Sequence, residues 1–126
     1  MPLTRVSLRK GKSPAYKRAI LDHVYAAMRE AFAVPEDDRF MLIDEYGEDD
    51  FVYSQSYLGI ARDDDLVIIQ ITANNTRSVE QKRALFAAIA KRLSHDPGIR
   101  PENILINLVE VAKEDWSFGH GIAQYA

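Results

Sequence analysis

The chain has 126 residues, enough for one domain with its own core and too few for two. Apolar residues make up 47% and charged residues 28%, the balance of a chain that folds rather than one that is disordered or embedded in a membrane. Net charge is only -3, no Lys/Arg cluster exceeds two or three residues, and cysteine is absent; this argues against nucleic-acid binding, disulfide frameworks, thiolate metal sites and cysteine nucleophiles.

In chain order, Pro2 to Leu8 predicts a strand with Leu3, Val6 and Leu8 as its apolar positions. Ser13 is placed to cap a helix that opens on Pro14. Ile20, Leu21, Val24, Tyr25, Met28 and Phe32 then recur at three- and four-residue spacing, giving one apolar stripe that ends before Pro35. A strand over Arg39 to Tyr46 follows. Phe51 to Ile60, between the acidic turns Glu48–Asp50 and Asp63–Asp65, is expected to form a short extra strand or hairpin. Leu66 to Thr72 is a continuous apolar strand. Ser78 and Gln81 form a capping box ahead of a helix with Leu85, Phe86, Ile89, Ala90 and Leu93 as its stripe. Asn103 to Val111 closes the pattern, and Trp116 to Tyr125 is an aromatic tail containing glycine. Arg5, Arg9, Lys10, Lys12, Lys17, Arg18 and Arg29 interrupt the start of the chain, so no signal peptide is expected, and no run approaches the ~20 residues that cross a membrane. A cytoplasmic protein without membrane or nucleic-acid partners is the expectation.

The two halves repeat. Ser13-Pro14-Ala15-Tyr16-Lys17-Arg18-Ala19-Ile20 aligns with Ser78-Val79-Glu80-Gln81-Lys82-Arg83-Ala84-Leu85, and Pro35-Glu36-Asp37 with Pro101-Glu102-Asn103. The fold class expected is α/β, of the two-layer α+β kind. A single domain over 1–126 is built from tandem β-α-β units, about 1–62 and 63–126, with a four-stranded mixed sheet, two helices on one face and short extra strands. Right-handed crossovers put both helices on the same face. Yet Leu66 to Ile71 and Ile104 to Val109 are apolar on both alternations. The uncovered face therefore needs another copy of the chain, in a closed homo-oligomer.

No G-x-S-x-G, H-E-x-x-H, P-loop or G-x-G-x-x-G motif is present. His23, His95 and His120 lie far apart; the first two read as ordinary helical residues and His120 as a loop residue, so no metal site is expected. Pro2 is different. Removal of Met1, usual before a residue as small as proline, leaves a free secondary amine at the start of a strand. An α-amino group titrates nearer neutrality than lysine and is suited to acid/base work.

Four segments carry a family resemblance. They are Met1-Pro2-Leu3; Ala31-Phe32-Ala33-Val34-Pro35 leading to Asp38-Arg39-Phe40; Thr76-Arg77-Ser78-Val79-Glu80-Gln81-Lys82; and Asp115-Trp116-Ser117-Phe118-Gly119. With the duplicated unit, the chain resembles the tautomerase superfamily from end to end, and within it the malonate semialdehyde decarboxylase group. The resemblance implies a homotrimer, a catalytic amino-terminal proline at Pro2 and no cofactor. It also implies an active-site aspartate at Asp38, a carboxylate-gripping arginine at Arg77, and an apolar pocket wall of Trp116, Phe118 and Tyr125. Read alone, Asp38 equally suits a turn, Arg77 a solvated position before a helix, and the aromatics a core or an interface. The decarboxylase pattern has a second arginine two positions before Arg77, where this chain has Asn75, a neutral substrate-binding candidate. The expected function is keto-enol proton transfer on a small oxo-carboxylate by Pro2. The alternatives are a decarboxylase-like lyase or hydratase and a non-catalytic binding protein on the same fold.

Overall fold

The computed structural model describes residues 2–126. Strand β1 (Leu3–Arg9) leads into helix α1 (Pro14–Phe32) and strand β2 (Phe40–Tyr46); after a long connection, β3 (Val67–Asn74), α2 (Val79–His95) and β4 (Ile104–Val111) repeat the plan. The sheet order is β2-β1-β3-β4. β1 runs parallel to β2, with Leu3 opposite Phe40, and β3 parallel to β4, with Val67 opposite Ile104. The inner pair β1–β3 is antiparallel, with Leu3 opposite Thr72. This is the mixed four-stranded sheet that the repeat implies.

Both helix starts follow from their caps. The Ser13 hydroxyl accepts from the Tyr16 N–H at 3.1 Å, and Pro14, which lacks an N–H, occupies the first turn, where that donor has no partner. The Ser78 hydroxyl accepts from the Gln81 N–H at 3.1 Å while the Gln81 side chain accepts from the Ser78 N–H at 2.9 Å. The stripes Ile20, Val24, Ala27, Met28 and Phe32 of α1 and Leu85, Ile89 and Leu93 of α2 are buried against Val6, Leu8, Val67, Ile69 and Ile71. Each such side chain taken out of water stabilises the fold by roughly 1.5–3 kcal/mol. Both helices thus cover one face of the sheet.

The other face is open. Leu3, Phe40, Leu42, Leu105 and Val109 are exposed on it, interleaved with Arg5, Asp44 and Gln70. The double apolar alternation in β3 and β4 therefore does not mean burial on both sides within one chain.

The connection corrects one expectation. Among the described residues, 51–60 contribute no strand; Glu48–Asp50 and Tyr57–Gly59 are single 3₁₀ turns. The backbone oxygens that a ladder would use are taken by one side chain, because Arg62 Nη1 donates to the carbonyls of Ser54, Tyr57 and Ile60 at 3.1 to 3.3 Å. Leu58 and Gly59 both take positive φ, which turns the chain back. Asn103, expected to begin the last strand, precedes it and is 1% exposed; its amide donates to Asp63 Oδ1 at 2.7 Å and accepts from the Asp63 N–H at 3.0 Å, anchoring the connection. No helix of the described residues is long and apolar enough to cross a membrane.

Candidate active site

The sheet topology gathers one end of every strand at a single place. Because Leu3 pairs with Phe40, Pro2 and Asp38 precede the starts of neighbouring parallel strands. Because Leu3 also pairs antiparallel with Thr72, the last residues of β3 reach the same end, and β4 delivers residues 112–126 there. Buried Pro2 lines a cavity of about 210 Å³ with Leu3, Phe40, Trp116, Ser117 and Phe118. Its walls are apolar apart from Ser117 and the backbone.

Asp38 is placed by the turn that ends α1. Ala33 adopts the left-handed conformation that stops the helix, the Tyr25 hydroxyl donates to the carbonyls of Pro35 and Glu36, and the Asp38 N–H donates to the Pro35 carbonyl at 3.1 Å. Arg39 pairs with Asp22 and lies 4.7 Å over the Tyr25 ring, pinning the far side of the turn. The Asp38 carboxylate is 6% exposed. Burial pushes its pKa above the ordinary carboxylate value, and the Arg77 charge acts against that rise. A turn residue by its backbone, Asp38 is also a buried carboxylate within electrostatic reach of Arg77.

Arg77 is half-buried rather than solvated. It lies between the end of β3 and the Ser78 cap, where Asn75 donates its N–H to the Val111 carbonyl at 2.9 Å. Its Nη2 donates to the Phe32 carbonyl at 3.1 Å and its guanidinium sits 4.8 Å from the Phe32 ring centre. Burial lowers its pKa and Asp38 raises it. One donor is committed to Phe32, and the planar group has four more.

Trp116 follows a 3₁₀ turn, Lys113–Asp115, closed by the Asp115 carboxylate accepting from the Ala112 N–H at 2.8 Å. Its indole stacks on Phe118 at 5.4 Å, and Phe118 meets Tyr125 edge-on at 5.2 Å. Of the residues singled out in the sequence, Pro2, Trp116 and Phe118 line the cavity, while Asp38 and Arg77 lie outside its lining, at the same strand ends and within electrostatic reach of each other. Tyr125 supports Phe118 from outside the lining. Asn75 is exposed in the turn and does not line the cavity.

Two residues are added. Phe40 is exposed at the start of β2 and joins the lining; its place beside Leu3 follows once the parallel register is known. Asn74, 7% exposed, accepts from Trp116 Nε1 at 2.7 Å. Asn74 falls on the open-face alternation of Gln70 and Thr72 and is buried where Trp116 reaches it, whereas Asn75, in the turn after β3, is exposed.

A larger concavity of about 390 Å³ lies at the opposite end of the sheet. Two of the three cations that line it are paired, Arg9 with Asp64 at 3.1 Å and Lys12 with Asp65 at 2.6 Å. Asp65 and Leu66, not a proline, precede β3 there. Among the described residues no group of three or more His, Asp or Glu is arranged to hold a metal ion.

Comparison with known proteins gives the family of the chain and relatives of its fold. Two family models, each described as a tautomerase enzyme, match residues 38–119 and 2–60. Probable tautomerase YusQ of Bacillus subtilis (strain 168) is 39% identical over 98% of both chains, and probable tautomerase YrdN of the same organism is 33% identical over 99% of this chain and 96% of its own. A crystal structure of a malonate semialdehyde decarboxylase, studied for its decarboxylase and hydratase activities, superimposes with a TM-score of 0.91 at 32% identity, covering 98% of this chain and 95% of that one. A second, inhibited by 3-bromopropiolate, gives 0.90 at 36% identity, covering 98% and 93%. A fused 4-OT forming a symmetric trimer shares the fold at 22% identity and a TM-score of 0.80, over 98% of this chain and 97% of its own. The duplicated β-α-β fold, the matched models and these relatives together make the chain a member of the tautomerase family of enzymes.

Proposed function

We propose that Pro2, freed by removal of Met1, is the acid/base of a keto-enol tautomerase acting on a small oxo-carboxylate. Met1 lies outside the described residues, so its removal is part of the proposal. In the ketonising direction the neutral amine takes the enol hydroxyl proton and delivers it to a carbon of the conjugated system, and in the reverse direction it takes the proton from the carbon next to the carbonyl, while Arg77 binds the carboxylate and stabilises the dienolate charge. The observation that carries this reading is the place of buried Pro2 in an apolar cavity at the same strand ends as the buried Asp38 carboxylate and the half-buried Arg77. An apolar surround favours the neutral form of an amine, the form that acts as a base. No cofactor enters this chemistry.

The test uses protein whose proline amino terminus has been verified by mass spectrometry. Ketonisation of 2-hydroxymuconate or of the phenylpyruvate enol is expected to fall about 10²- to 10⁴-fold in Pro2→Ala. An unchanged rate overturns the proline mechanism.

The likeness to malonate semialdehyde decarboxylases favours a second reading, a lyase in which protonated Pro2 polarises the carbonyl of a β-oxo acid and Asp38 assists. Asn75, neutral where the decarboxylase pattern has arginine, ranks this reading second. Carbon dioxide release from malonate semialdehyde, dependent on Asp38 and Arg77, would reverse the order.

We further infer a homotrimer. The open apolar face and the likeness to a trimeric fold support it.

A further inference from the structure

We propose that Asn74 is a positioning residue for the Pro2 cavity, fixing the Trp116 indole as the wall against which the substrate's carbon skeleton lies. The proposal rests on the reading of Pro2 and its cavity as the reaction site.

An indole N–H only donates, so at 2.7 Å from Trp116 Nε1 the Asn74 side chain must present its oxygen. Asn74 itself stands on rigid backbone, as the last residue of β3 and opposite Val111 of β4. Trp116 lies outside the sheet, beyond a single 3₁₀ turn. Among the described residues, one side-chain hydrogen bond therefore joins sheet to tail at the cavity wall, and the Trp116–Phe118 stack lies within the tail.

The residue type argues the same way. Asparagine is disfavoured in strands, and a buried amide costs free energy unless it is hydrogen-bonded. Asn74 has the register of Gln70 and Thr72 on the open face of β3, opposite to buried Val67, Ile69, Ile71 and Ala73, yet it is itself buried where Trp116 reaches it. The polar choice at 7% exposure is explained by the acceptor that it gives Trp116. Without that acceptor, the indole either leaves its N–H unpaired or rotates to find water, and either change moves the wall that faces Pro2.

Trp116 is the only tryptophan in the chain, so emission reports this wall alone. Asn74→Leu is expected to shift the emission maximum and change acrylamide quenching, and to raise KM for the enol substrate about tenfold with a smaller change in kcat. Asn74→Asp, which keeps an oxygen in place, is expected to restore the emission. In a Trp116→Phe background, which has no N–H to accept, Asn74→Leu is expected to change KM less than twofold. Should Asn74→Leu fail to fold by circular dichroism, Asn74→Ser, too short to reach the indole, replaces it in each arm. Unchanged emission and KM in the Asn74 variant, or an equal KM effect with and without Trp116, overturns the proposal. Failure of the underlying reading shows separately, as an unchanged rate in Pro2→Ala, while the emission arms still report on Asn74.

Discussion

Arg77 donates from Nη2 to the carbonyl of Phe32 at 3.1 Å and holds its guanidinium 4.8 Å above the same residue's ring. The last carbonyls of a helix have no partner within it, and a cation there is favoured by the helix dipole. The group proposed to hold the substrate carboxylate therefore also finishes α1. Arg77→Met, which keeps the stem and removes the charge, is expected to lower the unfolding free energy by about 1–2 kcal/mol from the lost hydrogen bond and ring contact. It should also lower kcat/KM at least 10²-fold. Urea unfolding at fixed protein concentration and steady-state kinetics read the two effects, and Arg77→Lys should recover more of the stability than of the activity, because its point charge does not match a carboxylate bidentately.

Two aspartates should pull the pH dependence of stability in opposite directions. Burial raises the pKa of Asp38 in the folded chain, so the folded state holds that proton more tightly than the unfolded one. Stability from this group falls as pH rises from the ordinary carboxylate value through the raised one, and stays reduced above it. Asp63 accepts from the Asp65 N–H, the Asn103 amide and Arg100, which lower its pKa. Its contribution is present above the ordinary carboxylate value and is lost as pH falls through the lowered one. Melting curves between about pH 3 and pH 8 should show Asp38→Asn gaining on the parent protein toward neutrality. Asp63→Asn should fall behind over the same range. Parallel pH curves for Asp38→Asn and the parent would mean that the buried carboxylate costs nothing.

The helices are legible because Ser13-Pro14 and Ser78 with Gln81 place a cap directly ahead of a stripe with helical spacing. The strands are legible from their apolar runs, and the order follows from duplication. Residues 51–60 are not, since their aromatic content suits a strand while the deciding contact is the Arg62 side chain on three carbonyls. Composition and periodicity do not record where a guanidinium points. Asn74 is hidden for a similar reason: its partner Trp116 is 42 residues away, and only the β3–β4 pairing brings them together. Motif comparison draws attention to Asn75 instead, which lies exposed in the turn after β3.

That account of 51–60 has its own test. Arg62→Ala removes the three donations that close the Tyr57–Gly59 turn and should leave the sheet and helices unchanged. Local opening should become easier by about 1 kcal/mol, which is roughly fivefold faster limited cleavage by chymotrypsin after Tyr57 or Leu58. An unchanged cleavage rate would assign the turn to the positive-φ residues Leu58 and Gly59 alone.

The open face gives the last prediction. Leu3, Leu42 and Val109 border a shallow concavity there with Arg5, Gln70 and Thr72. Leu3 also lines the Pro2 cavity, so a neighbour packed on this face would abut the proposed reaction site. Leu42→Glu puts a charge into the apolar patch and should shift sedimentation from trimer toward monomer, whereas Val52→Glu, on the exposed connection, should not. If assembly completes the site, activity should fall with the trimer in Leu42→Glu. It should fall in the same proportion when the parent protein is diluted through its dissociation range. A monomeric Leu42→Glu variant with full activity would separate assembly from catalysis, and an unaltered trimer would assign the interface to another surface.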